Sequence, residues 1–166
     1  MLNQDLIIKN VNLENKIYVA YSGGPDSTAL LHLLAEMRIN HQIKVKAIHV
    51  NHNLSKESKA WESHCKKMCS TLNIDLTIES VQIISDGGGI ESASRKARYK
   101  IFENLLESGD QILLAHHSDD VAETIFMRLL RGTGADGLEG PKFKREIGKG
   151  TLIRPLLKIP KKEIKN

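Results

Sequence analysis

Five short apolar runs punctuate the chain, and between them apolar residues recur at helical rather than alternating spacing. The runs are "KIYVAYS" ending at Gly23-Gly24, "VKAIHV" from Val45 to Val50, "DLTIESV", "QILLA" from Gln111 to Ala115, and "TLIRPLL", which Pro155 interrupts. Apolar stretches of this length bounded by turn residues predict buried strands. After Gly24, Asp26 or Ser27 is placed to cap a helix through "TALLHLLAEM". Trp61, Cys65, Met68 and Leu72 predict a second helix from Ser58 to about Leu72, with that stripe against the core. Asp86-Gly87-Gly88-Gly89 predicts a flexible loop. In the helix after it, Ile90, Ala93, Ala97, Ile101 and Leu105 share one face and turn Ser94, Arg95, Arg98 and Phe102 towards another, a basic one. Ala122, Ile125, Phe126 and Leu129 mark the expected buried side of a last helix ending near Gly132. Strands alternating with helices predict an open parallel α/β sheet of the doubly wound type, helices on both faces, with ligands at the carboxyl ends of strands.

Composition narrows the class. The chain has 166 residues, 40% hydrophobic and 27% charged, which suits one globular domain. No run of about 18 apolar residues and no signal-type N-terminus occurs, so a cytoplasmic protein without membrane association is expected. Cys65 and Cys69 lie on one side of a helix, which suits packing better than a disulfide or zinc framework. Charge is uneven: Pro141 to Asn166 carries nine Lys or Arg against two acids. That end is either a solvated surface or a contact for a polyanion such as nucleic acid.

The chemistry concentrates at "YSGGPDST". A loop that leaves a strand and opens a helix presents N–H groups without carbonyl partners, and glycines let a phosphate approach them. Pro25 contributes no donor, so binding rests on the surrounding amides and the Ser22, Ser27 and Thr28 hydroxyls. A carboxylate beside phosphates is repulsive unless a cation mediates, which gives Asp26 an Mg²⁺-bridging role; the alternative is a plain helix cap. Neither the Walker A nor the dinucleotide pattern is present. Asp119 and Asp120 stand where a strand gives way to a helix, with Asp120 and Glu123 on one face, and either cap that helix or serve the phosphate site. Arg95 and Arg98 are three apart and are either surface ion-pair residues or anion ligands. His49, His52 and His116 have structural readings as strong as catalytic ones.

"SGGPDS" resembles the PP-loop of the ATP pyrophosphatases, which cleave ATP between the α and β phosphates. "HVNHNL", "ESASRKARYKIF" and "LLAHHSDDVAETIFMRLLRGTGADGLEG" follow in the order and approximate spacing of the tRNA(Ile)-lysidine synthase family, a likeness over about residues 16 to 160. The resemblance implies ATP and Mg²⁺ as cofactors, with free L-lysine and an isoleucine tRNA carrying a CAU anticodon as partners. It implies adenylation of the wobble cytidine at C2 and displacement of AMP by the lysine ε-amine, so that the codon read changes from AUG to AUA. Ser22, Gly23, Gly24, Pro25, Asp26 and Ser27 fall on the family's ATP-binding loop, with Asp26 a metal ligand and the backbone at His49 near the adenine. Asp120 falls on the essential carboxylate, either holding Mg²⁺ or taking a proton from lysine. Arg95 or Arg98 falls on a residue that steadies the α-phosphate. Arg131, Gly132, Thr133 and Gly134 begin a loop bordering the tRNA and lysine side. Val121 stands where the family often has glutamine. Family members continue past the "RPLL" region, so the expectation is a PP-loop catalytic domain over 1–166, truncated before further helical and tRNA-binding parts. A related tRNA thiolation enzyme and a non-catalytic adenine-nucleotide-binding fragment are the alternatives.

Overall fold

The strand at the centre of the sheet, β1 (Ile17–Ala20), alternates its side chains between two cores. Ile17 and Val19 point to one face and Tyr18 to the other, as the two-residue period of a strand requires. The computed structural model describes residues 2–83, 89–132 and 138–164. Its elements in order are α1 (Gln4–Ile8), β1, α2 (Pro25–His41), β2 (Val45–Asn51), α3 (Ser58–Thr71), β3 (Asp75–Ser80), α4 (Ile90–Leu105), β4 (Gln111–Leu113), α5 (Ser118–Leu130), β5 (Lys144–Ile147) and β6 (Gly150–Ile153). A short 3-10 turn covers Lys161–Glu163.

The sheet order is β3-β2-β1-β4-β6-β5. β1 pairs in parallel with β2 (Val19 opposite Ala47) and with β4 (Val19 opposite Leu113), and β4 pairs in parallel with β6 (Leu113 opposite Ile153). The winding reverses beside β1, so the carboxyl ends of β1 and β4 diverge into loops on opposite sides and leave a crevice between them. Leu30, Leu34, Met37, Cys65 and Cys69 from α2 and α3 fill one face, and Phe102 and Leu106 from α4 and its end fill the other. The expected open sheet covered on both faces is therefore present, parallel except at β5.

Four local expectations are corrected. The sheet has a sixth strand: β5 runs antiparallel to β6 and forms a hairpin edge that a polar "KREI" segment does not announce. Gly148 at its turn has φ +55, and a Cβ there would lie 2.5 Å from the Glu103 carbonyl oxygen, so α4 and the hairpin meet backbone to backbone. Phe102 belongs to the core, 1% exposed, rather than to the basic face, because α4 rotates Ala93 and Phe102 onto the sheet and leaves Ile90 58% exposed. On α5 no side chain is buried; Phe126 and Leu129, expected inside, are 60% and 53% exposed, because no described element packs over that face. Trp61 is also exposed, although Cys65 and Cys69 beside it are buried free thiols, as their packing role requires.

Candidate functional site

The loop after β1 is held open by its own side chains. Tyr21 N–H still donates to Ile48 carbonyl oxygen in strand fashion, and the chain then turns through Gly23 at φ +83. A Cβ on Gly23 would lie 3.0 Å from Cys65 Sγ and 3.3 Å from the Trp61 ring, so the turn needs both the left-handed conformation and the missing side chain. Gly24, not Asp26 or Ser27, is the N-cap of α2, and Pro25 occupies the first helical position, where its lacking N–H costs nothing. Ser27 and Thr28 hydroxyls fold back onto Gly24 carbonyl oxygen at 3.0 and 2.9 Å, and Ser22 Oγ contacts Ser27 Oγ at 3.0 Å. The amides of Gly23, Asp26 and Ser27 find no acceptor among the described residues. They are the unpaired donors that a phosphate group would fill.

Freed from capping, Asp26 turns to the crevice. Its Oδ2 lies 3.5 Å from His117 Nε2 and 3.5 Å from Lys161 Nζ. Its Oδ1 is buried with no partner among the described residues. His117, 3% exposed, is the N-cap of α5: its Nδ1 accepts from Asp120 N–H at 3.3 Å, and its own N–H donates to Asp120 Oδ2 at 2.8 Å. That reciprocal cap makes Nδ1 the acceptor and puts the ring proton on Nε2, facing Asp26. Asp120 thus both caps α5 and reaches the crevice, whereas Asp119 binds Lys161 N–H at 3.1 Å and Glu123 is exposed.

Between these groups lies a cavity of about 400 Å³, lined by Ser22, Gly24, Asp26 and Ser27 from the loop, His49 and His52 from the end of β2, Arg98 and Phe102 from α4, and His116 and Asp120 after β4. Arg98 Nε is buried without an acceptor among the described residues, and burial, above all, lowers the guanidinium below its usual range. Arg95 lies outside that lining, exposed, with its Nη2 at 3.4 Å from Tyr99 Oη. His49 is buried and its Nδ1 lies 2.9 Å from Tyr21 carbonyl oxygen, which ties β2 to the loop. His116 Nδ1 accepts from Arg154 Nε at 3.0 Å. Burial, then Arg154 and Arg98, push His116 down to about 4, so its ring is neutral at neutral pH with the proton on Nε2.

Several of these partners escape a sequence reading. Lys161 and Arg154 register in the chain only as members of a basic end, and no spacing announces that one meets Asp26 and the other His116. Thr133 and Gly134, like Asp86 to Gly88, lie outside the described residues. The described residues hold no group of three His, Cys, Asp or Glu side chains able to grip a metal unaided. No helix among them is long and apolar enough to cross a membrane.

Residues 2–166 match a family described as a PP-loop domain. The chain is 43% identical over 148 residues to a tRNA(Ile)-lysidine synthase of Alkalilimnicola ehrlichii, covering 89% of this chain and 33% of that protein. It is 39% identical over 159 residues to one of Coxiella burnetii (95% and 35%) and 46% identical over 141 residues to one of Pseudomonas putida (84% and 33%). The chain therefore spans about a third of the length of these curated relatives. Among solved structures, the U34-tRNA thiolase NcsA of Methanococcus maripaludis, determined with its 4Fe–4S cluster, superposes with a TM-score of 0.71 at 22% identity, covering 96% of this chain and 59% of that one. A Candida glabrata FMN adenylyltransferase superposes at 0.52 and 15%, covering 97% and 50%. These two likenesses concern the fold alone.

Proposed function

The chain belongs to the PP-loop domain family, and from that membership we propose that it uses ATP to join free L-lysine to C2 of the wobble cytidine in an isoleucine tRNA with a CAU anticodon. In the first step the C2 carbonyl oxygen attacks the α-phosphorus and pyrophosphate leaves. In the second the lysine ε-amine forms the new carbon–nitrogen bond, loses a proton, and AMP departs with that oxygen. The single observation carrying the reading is the set of amides at Gly23, Asp26 and Ser27, unpaired among the described residues, beside a cavity that also collects Arg98, His116 and Asp120.

The roles follow from chemistry. The loop amides and hydroxyls hold the phosphates. The buried, unpartnered Asp26 Oδ1 suits an Mg²⁺ completed by phosphate oxygens, since this ion is usually bound by one or two carboxylates with substrate. Bound there, Mg²⁺ would neutralise phosphate charge. Arg98 faces the cavity and is favoured over Arg95 for the α-phosphate. Asp120 is favoured as proton acceptor rather than shared metal ligand, because it and Asp26 contact different nitrogens of His117. An acceptor is required, since a lysine amine with a pKa of about 10.4 is protonated near neutrality. His49 ties the loop in place beneath the nucleotide.

Sulfur transfer is disfavoured by the cysteines: burial pushes Cys65 and Cys69 up to about 11. A nucleotide-binding unit whose ligation needs additional polypeptide is the second reading, because the chain spans only about a third of its relatives. Mass spectrometry of the anticodon after incubation with ATP, Mg²⁺ and lysine separates them. The proposal expects a lysine adduct on the wobble cytidine, dependent on ATP. Unmodified cytidine with ATP bound favours the second reading.

A further inference from the structure

Beside the cavity, on the α4 side of the sheet, four arginines converge on one tyrosine. The guanidinium carbons of Arg145, Arg95 and Arg98 lie 4.8, 5.5 and 5.9 Å from the Tyr99 ring centroid. Arg154 Nη2 donates to Tyr99 Oη at 3.0 Å. Arg154 is 2% exposed and is fixed by two further bonds, to Lys142 carbonyl oxygen at 2.6 Å and to His116 Nδ1 at 3.0 Å. Arg145 comes from β5, Arg154 from the end of β6 and the other two from α4, so tertiary structure assembles the cluster.

No ion pair joins any of the four to a carboxylate among the described residues. Like charges gathered and partly buried without a counter-ion are unfavourable, and Arg98 Nε is buried without an acceptor among the described residues. Burial, the largest single influence, pushes the Tyr99 hydroxyl up, but Arg154, Arg95 and Arg98 together outweigh it and lower it below its ordinary value. An anion from outside would relieve all of this. Planar guanidinium forks suit phosphate oxygens. The surroundings favour a phosphate that belongs to a chain: Lys142 and Lys144 are exposed alongside, and the segment from Pro141 onward is strongly basic. Arg98 and His116 line the cavity itself, so the cluster adjoins it.

We propose that Arg95, Arg145 and the Tyr99 hydroxyl, braced by Arg154, form a docking site for a backbone phosphodiester of the RNA strand whose nucleotide enters the cavity. The inference rests on the RNA-modifying function proposed above. The phosphates of ATP or free pyrophosphate share the same chemistry and are the competing source.

The test is fluorescence anisotropy with a labelled anticodon stem-loop of the isoleucine tRNA across a range of salt, beside titrations with ATP and pyrophosphate. Arg145 lies half-buried on an edge strand, and Arg145→Ala is expected to fold; Tyr99→Phe, which removes only the hydroxyl, is the second variant. Arg145→Ala should weaken RNA binding by about tenfold and lower the slope of log affinity against log salt by about 0.7, the value for one single-strand phosphate contact. ATP and pyrophosphate affinities should stay at wild type. Arg145→Lys should restore the slope. RNA affinity and slope unchanged in Arg145→Ala and Tyr99→Phe would overturn the site, as would an equal loss of pyrophosphate binding. Failure of the wild-type protein to bind this RNA at low salt, with ATP still bound, would instead overturn the function on which the site rests.

Discussion

Asp26 and Asp120, which are 94 positions apart in the chain, approach the two nitrogens of a single buried imidazole: Asp26 Oδ2 lies 3.5 Å from His117 Nε2 and Asp120 Oδ2 lies 3.4 Å from His117 Nδ1. The ring therefore links the start of α2 to the start of α5 across the crevice beside β1. Each carboxylate keeps a distinct neighbourhood, and distinct roles are expected to follow.

Asp26→Asn should weaken binding of ATP with Mg²⁺ by about ten- to a hundredfold, since one charged ligand is lost. Asp120→Asn should leave that affinity close to wild type, because an amide oxygen can still accept the His117 N–H. Its lysine-dependent AMP release should fall by about 10²–10⁴-fold, the usual worth of a general base. Calorimetric titration and AMP quantification on both variants check the split, and circular dichroism checks the fold.

His116 makes stability depend on pH. Its folded value is lowered by burial, Arg154 and Arg98 from 6.5 to about 4, so as pH falls the unfolded chain takes up this proton first. The stability its neutral ring contributes is complete above about pH 6.5 and is lost as pH falls to about 4, on the order of 3 kcal/mol. Urea titrations across this window should show a steeper acid loss for wild type than for His116→Gln.

The two cysteines should be inert in the folded protein. With Cys65 and Cys69 pushed up to about 11 by burial, only about a thousandth of either thiol is ionised at pH 8. Iodoacetamide labelling is expected only after denaturation. Rapid labelling of the native protein would revive a sulfur-transfer reading.

The hairpin that carries Arg145 has a strict requirement at its turn. Gly148→Ala puts a methyl group 2.5 Å from the Glu103 carbonyl oxygen at φ +55, and should cost about 1–3 kcal/mol in urea unfolding. Gly132→Ala, also at positive φ but with nothing within 4 Å among the described residues, should cost less.

Much of this architecture is written locally. β1, β2 and β4 carry apolar runs because they are buried on both faces, and the Gly23-Gly24 pair marks the turn because Gly23 takes a positive φ with Cys65 close by. β5 is hidden because an edge strand with one face to solvent reads as "KREI". The apolar face of α5 misleads for a different reason: periodicity reports that a helix has an apolar side, not that anything covers it, and Phe126 and Leu129 are 60% and 53% exposed. At the site, the loop proposed to hold phosphates is legible because its chemistry is contiguous. The pairings of Asp26 with His117 and Lys161, and of His116 with Arg154, exist only after the sheet assembles.

The most direct measurement is a crystal structure with a non-hydrolysable ATP analogue and Mg²⁺. The triphosphate is expected on the amides of Gly23, Asp26 and Ser27, with Asp26 turned from His117 and Lys161 towards the ion and Arg98 at the α-phosphate. Nucleotide bound elsewhere, or Asp26 remote from phosphate and metal in an occupied cavity, would contradict the assignment of this crevice as the site of adenylate transfer.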